Sequence, residues 1–183
     1  MGGEGVRIRR EWAMPNAATF TILPIAELLK RYVKRPEAWA DPFSGWNSPA
    51  GMTNDLNPKA PTKHHLDARH FLSGIRDGSL EGVIFDPPYS PRQVKEVYDS
   101  IGIKLAQEDT QATFWSSVKD AAARKVCIGG TAVCCGWNSA GFGRSRGFEF
   151  VEILLVPHGG MHNDSIVTAE VRVQESLSSF GEM

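Results

Sequence analysis

Apolar positions first repeat along the chain at the spacing of a helix. Ile25, Leu28, Leu29, Tyr32 and Val33 fall on one face, as the 3.6-residue period of an amphipathic helix requires. Pro24 suits its first turn and Pro36 stops the run. The pattern then shortens. EAWADPF reads as a short strand ending near Asp41, GMTNDLNP as a second ending near Asp55, and HHLDA as a weak extended segment ending at Asp67, ahead of a helical pattern from Ala68 to Ile75. Val83, Ile84 and Phe85 form a continuous apolar run, the mark of a strand covered on both faces.

Beyond it Ser90 and Pro91 make a helix start, with Val94, Val97, Tyr98 and Ile101 on one face. Phe114, Trp115, Val118 and Ala122 mark another helix, and GGTAVCCGWN reads as a fifth strand. VEILLVP and SIVTAEVRV are strand-like runs joined by HGGMHND, whose Gly, Asn and Asp suit an antiparallel hairpin. Parallel-type strands alternating with helices predict an α/β sandwich, a mostly parallel sheet finished by a C-terminal antiparallel hairpin, with ligands at the carboxyl ends of the strands. The 183 residues suit a single domain over 1–183, with a flexible arm at 1–14 and a flexible tail at 174–183. GWNS occurs at 45–48 and again at 136–139, each time just after a predicted strand; four residues are too few to establish a repeat.

Charge narrows the partners. A net charge of -1 argues against coating nucleic acid by bulk attraction and leaves room only for local basic patches. Arg7, Arg9 and Arg10 form a short basic arm, and Arg144 and Arg146 lie in GFGRSRG. Lys30, Arg31, Lys34 and Arg35 stand where a helix ends, where cations complement its dipole. No apolar run reaches the roughly 20 residues that span a bilayer, and the start lacks the apolar core of a signal peptide, so a cytoplasmic protein without a membrane partner is expected. Cys127, Cys134 and Cys135 lie in or beside one apolar run, suit buried thiols in a reducing compartment and lack the spacing of a zinc site; His158, His162 and Asp164 are a weaker rival reading as a metal site, and in so polar a loop turn and hairpin hydrogen bonding is the expected role.

The candidate chemistry sits at the predicted strand ends. Asp41, Asp55, Asp67 and Asp86 each fall there, so the four carboxylates line one rim of the sheet. In DPFSG, Pro42 stiffens a tight turn and Gly45 allows backbone to approach a ligand. Asp55 is placed either to accept both hydroxyls of a ribose or to form an Asx turn. Asp67 suits either an adenine amino group or the cap of the helix starting at Ala68. In DPPY the prolines hold Asp86 and Pro87 extended and fix the Pro87 carbonyl in direction. An aromatic amino group is a poor nucleophile because its lone pair is delocalised into the ring. The Asp86 carboxylate and the Pro87 carbonyl are two acceptors that would polarise it, and Tyr89 offers a face for an unstacked base.

ADPFSG, NDLNP, LDARHFL and FDPPY, in this order, resemble the nucleoside-binding and catalytic motifs of the S-adenosylmethionine-dependent amino-methyltransferases that modify adenine in DNA. ATFTILPIAELLKRY is similar to the amino-terminal segment that closes over the methionine part of the cofactor in that family, and GWNS, GFEFVEILLV and HND resemble a compact, phage-type subgroup. The resemblance spans roughly residues 15–173. It implies a Rossmann-like methyltransferase fold with Thr19, Phe20, Asp41, Pro42, Phe43 and Gly45 toward the methionine end of S-adenosylmethionine. Asp55 and Leu56 would then hold the ribose side, Asp67 and Ala68 the adenine, and Asp86, Pro87, Pro88 and Tyr89 the target base. Arg144 and Arg146, read as following the fifth strand onto the same rim, are expected to contact DNA phosphates.

Two departures qualify it. Only the 13 residues 42–54 separate Asp41 from Asp55, barely the roughly 10–12 of a helical crossover, so the first helix is expected to be short or missing. No stretch is long enough for a separate target-recognition domain, so specificity is short or is supplied by a partner or a homodimer. The expected function is methyl transfer to the exocyclic amine of adenine in DNA, the target flipped out of a duplex, with no metal. Transfer to the cytosine amine and a non-catalytic nucleotide-binding module of the same fold are the alternatives.

Overall fold

The computed structural model describes residues 5–88 and 112–174. Its strands are β1 (Arg7–Arg10), β2 (Trp39–Asp41), β3 (Met52–Thr53), β4 (Leu80–Phe85), β5 (Val126–Gly136), β6 (Phe148–Val156) and β7 (Ser165–Arg172), and its helices α1 (Leu23–Tyr32), α2 (Ala68–Ser73) and α3 (Ala112–Lys125). The helix expected after Ser90 lies outside the described residues. All seven strands form one sheet in the order β1-β6-β7-β5-β4-β2-β3. Only the contacts of β7 with β5 and β6 are antiparallel.

Helices cover both faces because the apolar residues of the strands alternate. Ile25, Leu28 and Leu29 of α1 pack with Ile84, Val133, Leu154 and Val167 on one face. Phe114, Val118 and Ala122 of α3 pack with Val83, Phe85, Ala132 and Cys134 on the other, joined by Phe71 and Leu72 of α2. Each Val, Leu, Ile or Phe among these contributes about 1.5–3 kcal/mol when fully buried. Gly82 in β4 admits the Trp39 ring, which a Cβ would meet at 2.5 Å. Cys134 and Cys135 are buried and unpaired. Among the described residues no helix is long and apolar enough to cross a membrane.

Two expectations change. Residues 7–10, expected within a flexible arm, form β1, which pairs in parallel with β6, Ile8 opposite Ile153 and Arg10 opposite Leu155. The pairing continues as Glu11 N–H donates to the Leu155 carbonyl at 2.9 Å. It is reinforced from the side: Arg9 and Arg31 both reach Glu152 Oε1, at 3.3 and 2.6 Å, and Tyr32 donates to Oε2 at 3.0 Å. Buried Glu152 recruits these cations because an unpaired carboxylate there would be costly. Arg31 thus serves the fold, as its place at a helix end implies. The C-terminal hairpin, expected to finish the sheet, instead places β7 between β5 and β6, and β1 is the edge. As expected, residues 42–51 contain no helix, and the extended segment near Asp67 shrinks to a single bridge between Asn54 and His64.

Candidate functional site

At the carboxyl ends of β2 and β4 the chain forms a cleft open to solvent, of about 690 Å³, within the roughly 300–1,000 Å³ of small-molecule sites. Residues 16–20 form one wall, residues 43–47 another, and Asp86 stands between them.

Local bonding shapes each wall. Asn16 Oδ1 accepts from Ala18 N–H at 2.9 Å and its Nδ2 donates to Thr21 Oγ1 at 2.8 Å, closing a turn, while Phe20 anchors that turn in the α1 core. Asp41 is fully buried and clamps the loop it precedes, Oδ1 accepting from Phe43 N–H at 2.9 Å and Oδ2 from Ser48 Oγ at 2.6 Å. Gly45 has φ +52°, a left-handed backbone that favours glycine. Its N–H donates to Asp55 Oδ2 at 2.9 Å, and Asp55 Oδ1 accepts from Asn57 N–H at 2.8 Å. Phe43 meets Phe85 edge-on, with ring centroids 5.3 Å apart.

Burial pushes the Asp86 carboxyl up to about 7, opposed by a hydrogen bond from the Thr19 side chain. Its Oδ1 is buried with no hydrogen-bond partner, a condition that leaves a desolvation penalty for a ligand donor to relieve. Burial likewise raises Asp41 to about 7; bonds from Ser48 and Phe43 oppose this, and the charges of Asp86 and Asp55 add to it. Cys135 is raised well above the usual thiol range by burial and then by Asp86, which makes it an inert thiol.

Of the residues expected from sequence, Thr19, Phe20, Phe43, Gly45 and Asp86 meet at the cavity. Asp41 lies behind the loop and shapes it. Pro42 is buried, its carbonyl accepting from Asn54 Nδ2 at 3.1 Å. Asp55 adopts the Asx turn and adds the link to Gly45, while Leu56 follows it, partly exposed. Asp67 caps α2, accepting from the N–H groups of Arg69 and His70, and Ala68 enters the core; neither lines the cavity. Pro87 and Pro88 are partly exposed beyond β4, and Tyr89 lies outside the described residues.

Arg144 and Arg146 require a correction. The chain after β5 folds back across the sheet, held by buried Glu170, which accepts from Phe142 N–H and Gly143 N–H at 2.7 Å each. Phe148, which opens β6, pairs with Arg172, one residue past Val171; Val171 faces Thr131, which faces Gly82. The turn Arg144–Arg146 therefore stands level with the start of β4, at the end of the sheet opposite Asp86. Arg146 is spent within the protein, on Asp120 at 2.7 Å, the Phe142 carbonyl at 3.0 Å and Ser116 Oγ at 2.8 Å.

His158 bonds the Ala13 carbonyl and Ser165 Oγ, both at 2.9 Å, and its N–H meets Asp164 at 3.3 Å, the hairpin role its loop implies. No group of three or more potential metal ligands occurs among the described residues. Asn16, Ser44, Trp46 and Asn47 line the cavity unforeseen. The repeated GWNS was the available signal for Trp46 and Asn47.

Neither the protein-family models nor the curated proteins give a match by sequence. Among solved structures, TrmN from Thermus thermophilus is similar over 83% of this chain and 49% of its own, at 16% identity and TM-score 0.54; this chain spans about half of its length. The 1,6-didemethyltoxoflavin-N1-methyltransferase of Burkholderia thailandensis, solved with 1,6-didemethyltoxoflavin and S-adenosylhomocysteine, is similar over 82% of this chain and 77% of its own, at 10% identity and TM-score 0.56. The fold is accordingly the Rossmann-like methyltransferase fold.

Proposed function

We propose that this protein transfers a methyl group from S-adenosylmethionine to the exocyclic amino group of adenine in DNA. The observation that carries the reading is the buried, unpartnered Oδ1 of Asp86, on a carboxyl group that lines the cavity and opens the DPPY sequence. A buried acceptor without a donor fits an incoming amine. Accepting an N–H hydrogen there counters delocalisation of the amine lone pair, and the Pro87 carbonyl, restricted by the ring of Pro88, is the second acceptor.

The cofactor reading draws support from the fold and from the S-adenosylhomocysteine bound to the Burkholderia enzyme. The residues present fit such a group. Asp55 uses one lone pair of each oxygen on Asn57 and Gly45; a carboxylate offers about four acceptor sites, which leaves capacity for ribose hydroxyls. Thr19, Phe20, Phe43 and Gly45 line the cavity and would form the walls around the methionine end. When bound, the cofactor supplies the methyl group on an electrophilic sulfonium, so no metal is needed. Asp86 would orient the amine toward that methyl group and accept its hydrogen; with the N–C bond formed and the C–S bond broken, the thioether product would leave and the amine proton would pass by way of the Asp86 carboxylate to solvent.

Mass analysis of nucleosides from DNA incubated with the protein and S-adenosylmethionine tests this directly. The N6-methylated deoxyadenosine is expected. A methylated cytosine amine would move the reading to the other base, and absence of transfer despite cofactor binding would favour a non-catalytic module.

A further inference from the structure

The two GWNS elements acquire a spatial relation that their sequence separation hides. One follows β2, at residues 45–48, and the other begins on the last residue of β5, at 136–139. In the sheet β4 lies between β2 and β5. All three strands run parallel. Trp46 and Trp137 therefore leave the sheet at the same rim, one on each side of the strand that leads into Asp86. Both are exposed, Trp46 at 58% and Trp137 at 40%, and Trp46 also lines the cavity.

We propose that Trp46 and Trp137 form a paired stacking platform that grips unpaired bases of a nucleic acid on either side of Asp86, giving a preference for single-stranded or locally opened substrate. This rests on the reading of Asp86 as the acceptor for a base amine. Indole faces suit this occupant because every base presents a π face, so stacking holds a strand without reading its sequence. Charge agrees with it. Lys59, Lys63, His64 and His65 are exposed on the neighbouring loop, and neither lysine makes an ion pair among the described residues. Asn54 ties that loop to the cavity wall: it exchanges bonds of 2.9 Å each way with Leu66 and donates to the Pro42 carbonyl at 3.1 Å. Bases at the tryptophans and phosphates at the lysines would occupy one continuous strip.

The test compares Trp46→Ala, Trp137→Ala, the double alanine variant and both Phe variants, with thermal melts to confirm folding. A fluorescent single-stranded oligodeoxynucleotide and its perfect duplex are the probes, and S-adenosylhomocysteine is titrated in parallel. Wild type is expected to bind the single strand more tightly. Each alanine variant should lose about tenfold in that affinity, with phenylalanine retaining most of it. S-adenosylhomocysteine binding should be unchanged in the Trp137 variants, and in Trp46→Ala, whose ring also lines the cavity, it should fall by less than strand binding does. Wild-type oligonucleotide affinity in the double alanine variant, or tighter binding of the perfect duplex, overturns the proposal. So does an equal loss of S-adenosylhomocysteine in Trp46→Ala, which would assign that ring to the cofactor. Failure of the parent reading looks different: wild type transfers no methyl group, while the tryptophan dependence of strand binding stands.

Discussion

Asp55 bonds the amide of Gly45 at 2.9 Å through Oδ2, joining the end of one strand to the loop after its neighbour. The bond holds a left-handed glycine beside the cavity, so the acid shapes the wall as well as offering acceptors to a ligand.

Asp55→Ala is therefore expected to weaken S-adenosylmethionine binding by about 1.5–3 kcal/mol, the range for hydrogen bonds to a charged group, and to lower the melting temperature by freeing Gly45 N–H. Asp55→Asn keeps one acceptor oxygen and should fall between. Calorimetry beside thermal melts measures both. A lower melting temperature at unchanged affinity would confine Asp55 to holding the loop.

Arg146 is expected to behave as a structural residue. Its bonds to Asp120, the Phe142 carbonyl and Ser116 tie the turn before β6 to α3, so Arg146→Ala should cost about 1.5–3 kcal/mol in urea unfolding. Arg144 is 86% exposed and reaches Glu149 only at 3.7 Å, so Arg144→Ala should stay within about 0.5 kcal/mol. The salt dependence of DNA binding should change in neither. A slope reduced by about one unit per arginine would restore phosphate contact at this turn.

The misplacement of these arginines shows where sequence reading reaches its limit. Periodicity located α1, α3, β4 and the terminal hairpin because each buries a continuous apolar face, as Leu28 and Val83 do. Asp86 was legible for a related reason, since an acid directly after a buried strand marks its exposed end. The path after β5 was not legible. It depends on Glu170, a charged residue inside β7 that grips the backbone of Phe142 and Gly143, and no local pattern announces a bond across 28 residues. The edge strand β1 was hidden likewise. Arg7–Arg10 has no apolar alternation, and its pairing with β6 is accompanied by the Arg9 contact to Glu152 far along the chain. Asp67 resolved to its cap because that bond is local.

Stability should carry a signature of the buried acids. Asp86 and Asp41 are both raised from 3.8 to about 7 in the fold. A group with a raised folded value favours the native state fully below its unfolded value, and that contribution is lost as pH rises through the folded one. The melting temperature should accordingly decline between about pH 4 and pH 7 on account of this pair. Asp86→Asn removes one such charge, so it should raise the melting temperature most at pH 8, less at pH 5, and leave it nearly unchanged only below about pH 4. Asp41→Asn should gain less at pH 8, because its two oxygens accept from Phe43 and Ser48 and the amide supplies only one acceptor. Melts of the three proteins across pH measure this; a wild-type melting temperature flat from pH 4 to 8 would contradict the burial of both charges.

The same substitution separates folding from chemistry. Asp86→Asn retains the shape and one acceptor oxygen, but it removes the charge and sets a donor beside the amine it must bind. An interaction that strengthens as the amine attacks lowers turnover when lost, and leaves the binding of the other ligand alone. Single-turnover methylation of DNA should therefore fall steeply in Asp86→Asn, while S-adenosylmethionine affinity, carried by Asp55 and the Gly45 loop, changes little. Because the carboxyl group is raised to about 7, the wild-type rate should climb as pH rises through that value, as the ionised acceptor becomes populated. That limb should be missing from the residual activity of the variant. A wild-type rate in Asp86→Asn, or a residual rate with the same limb near pH 7, would remove Asp86 from the chemical step.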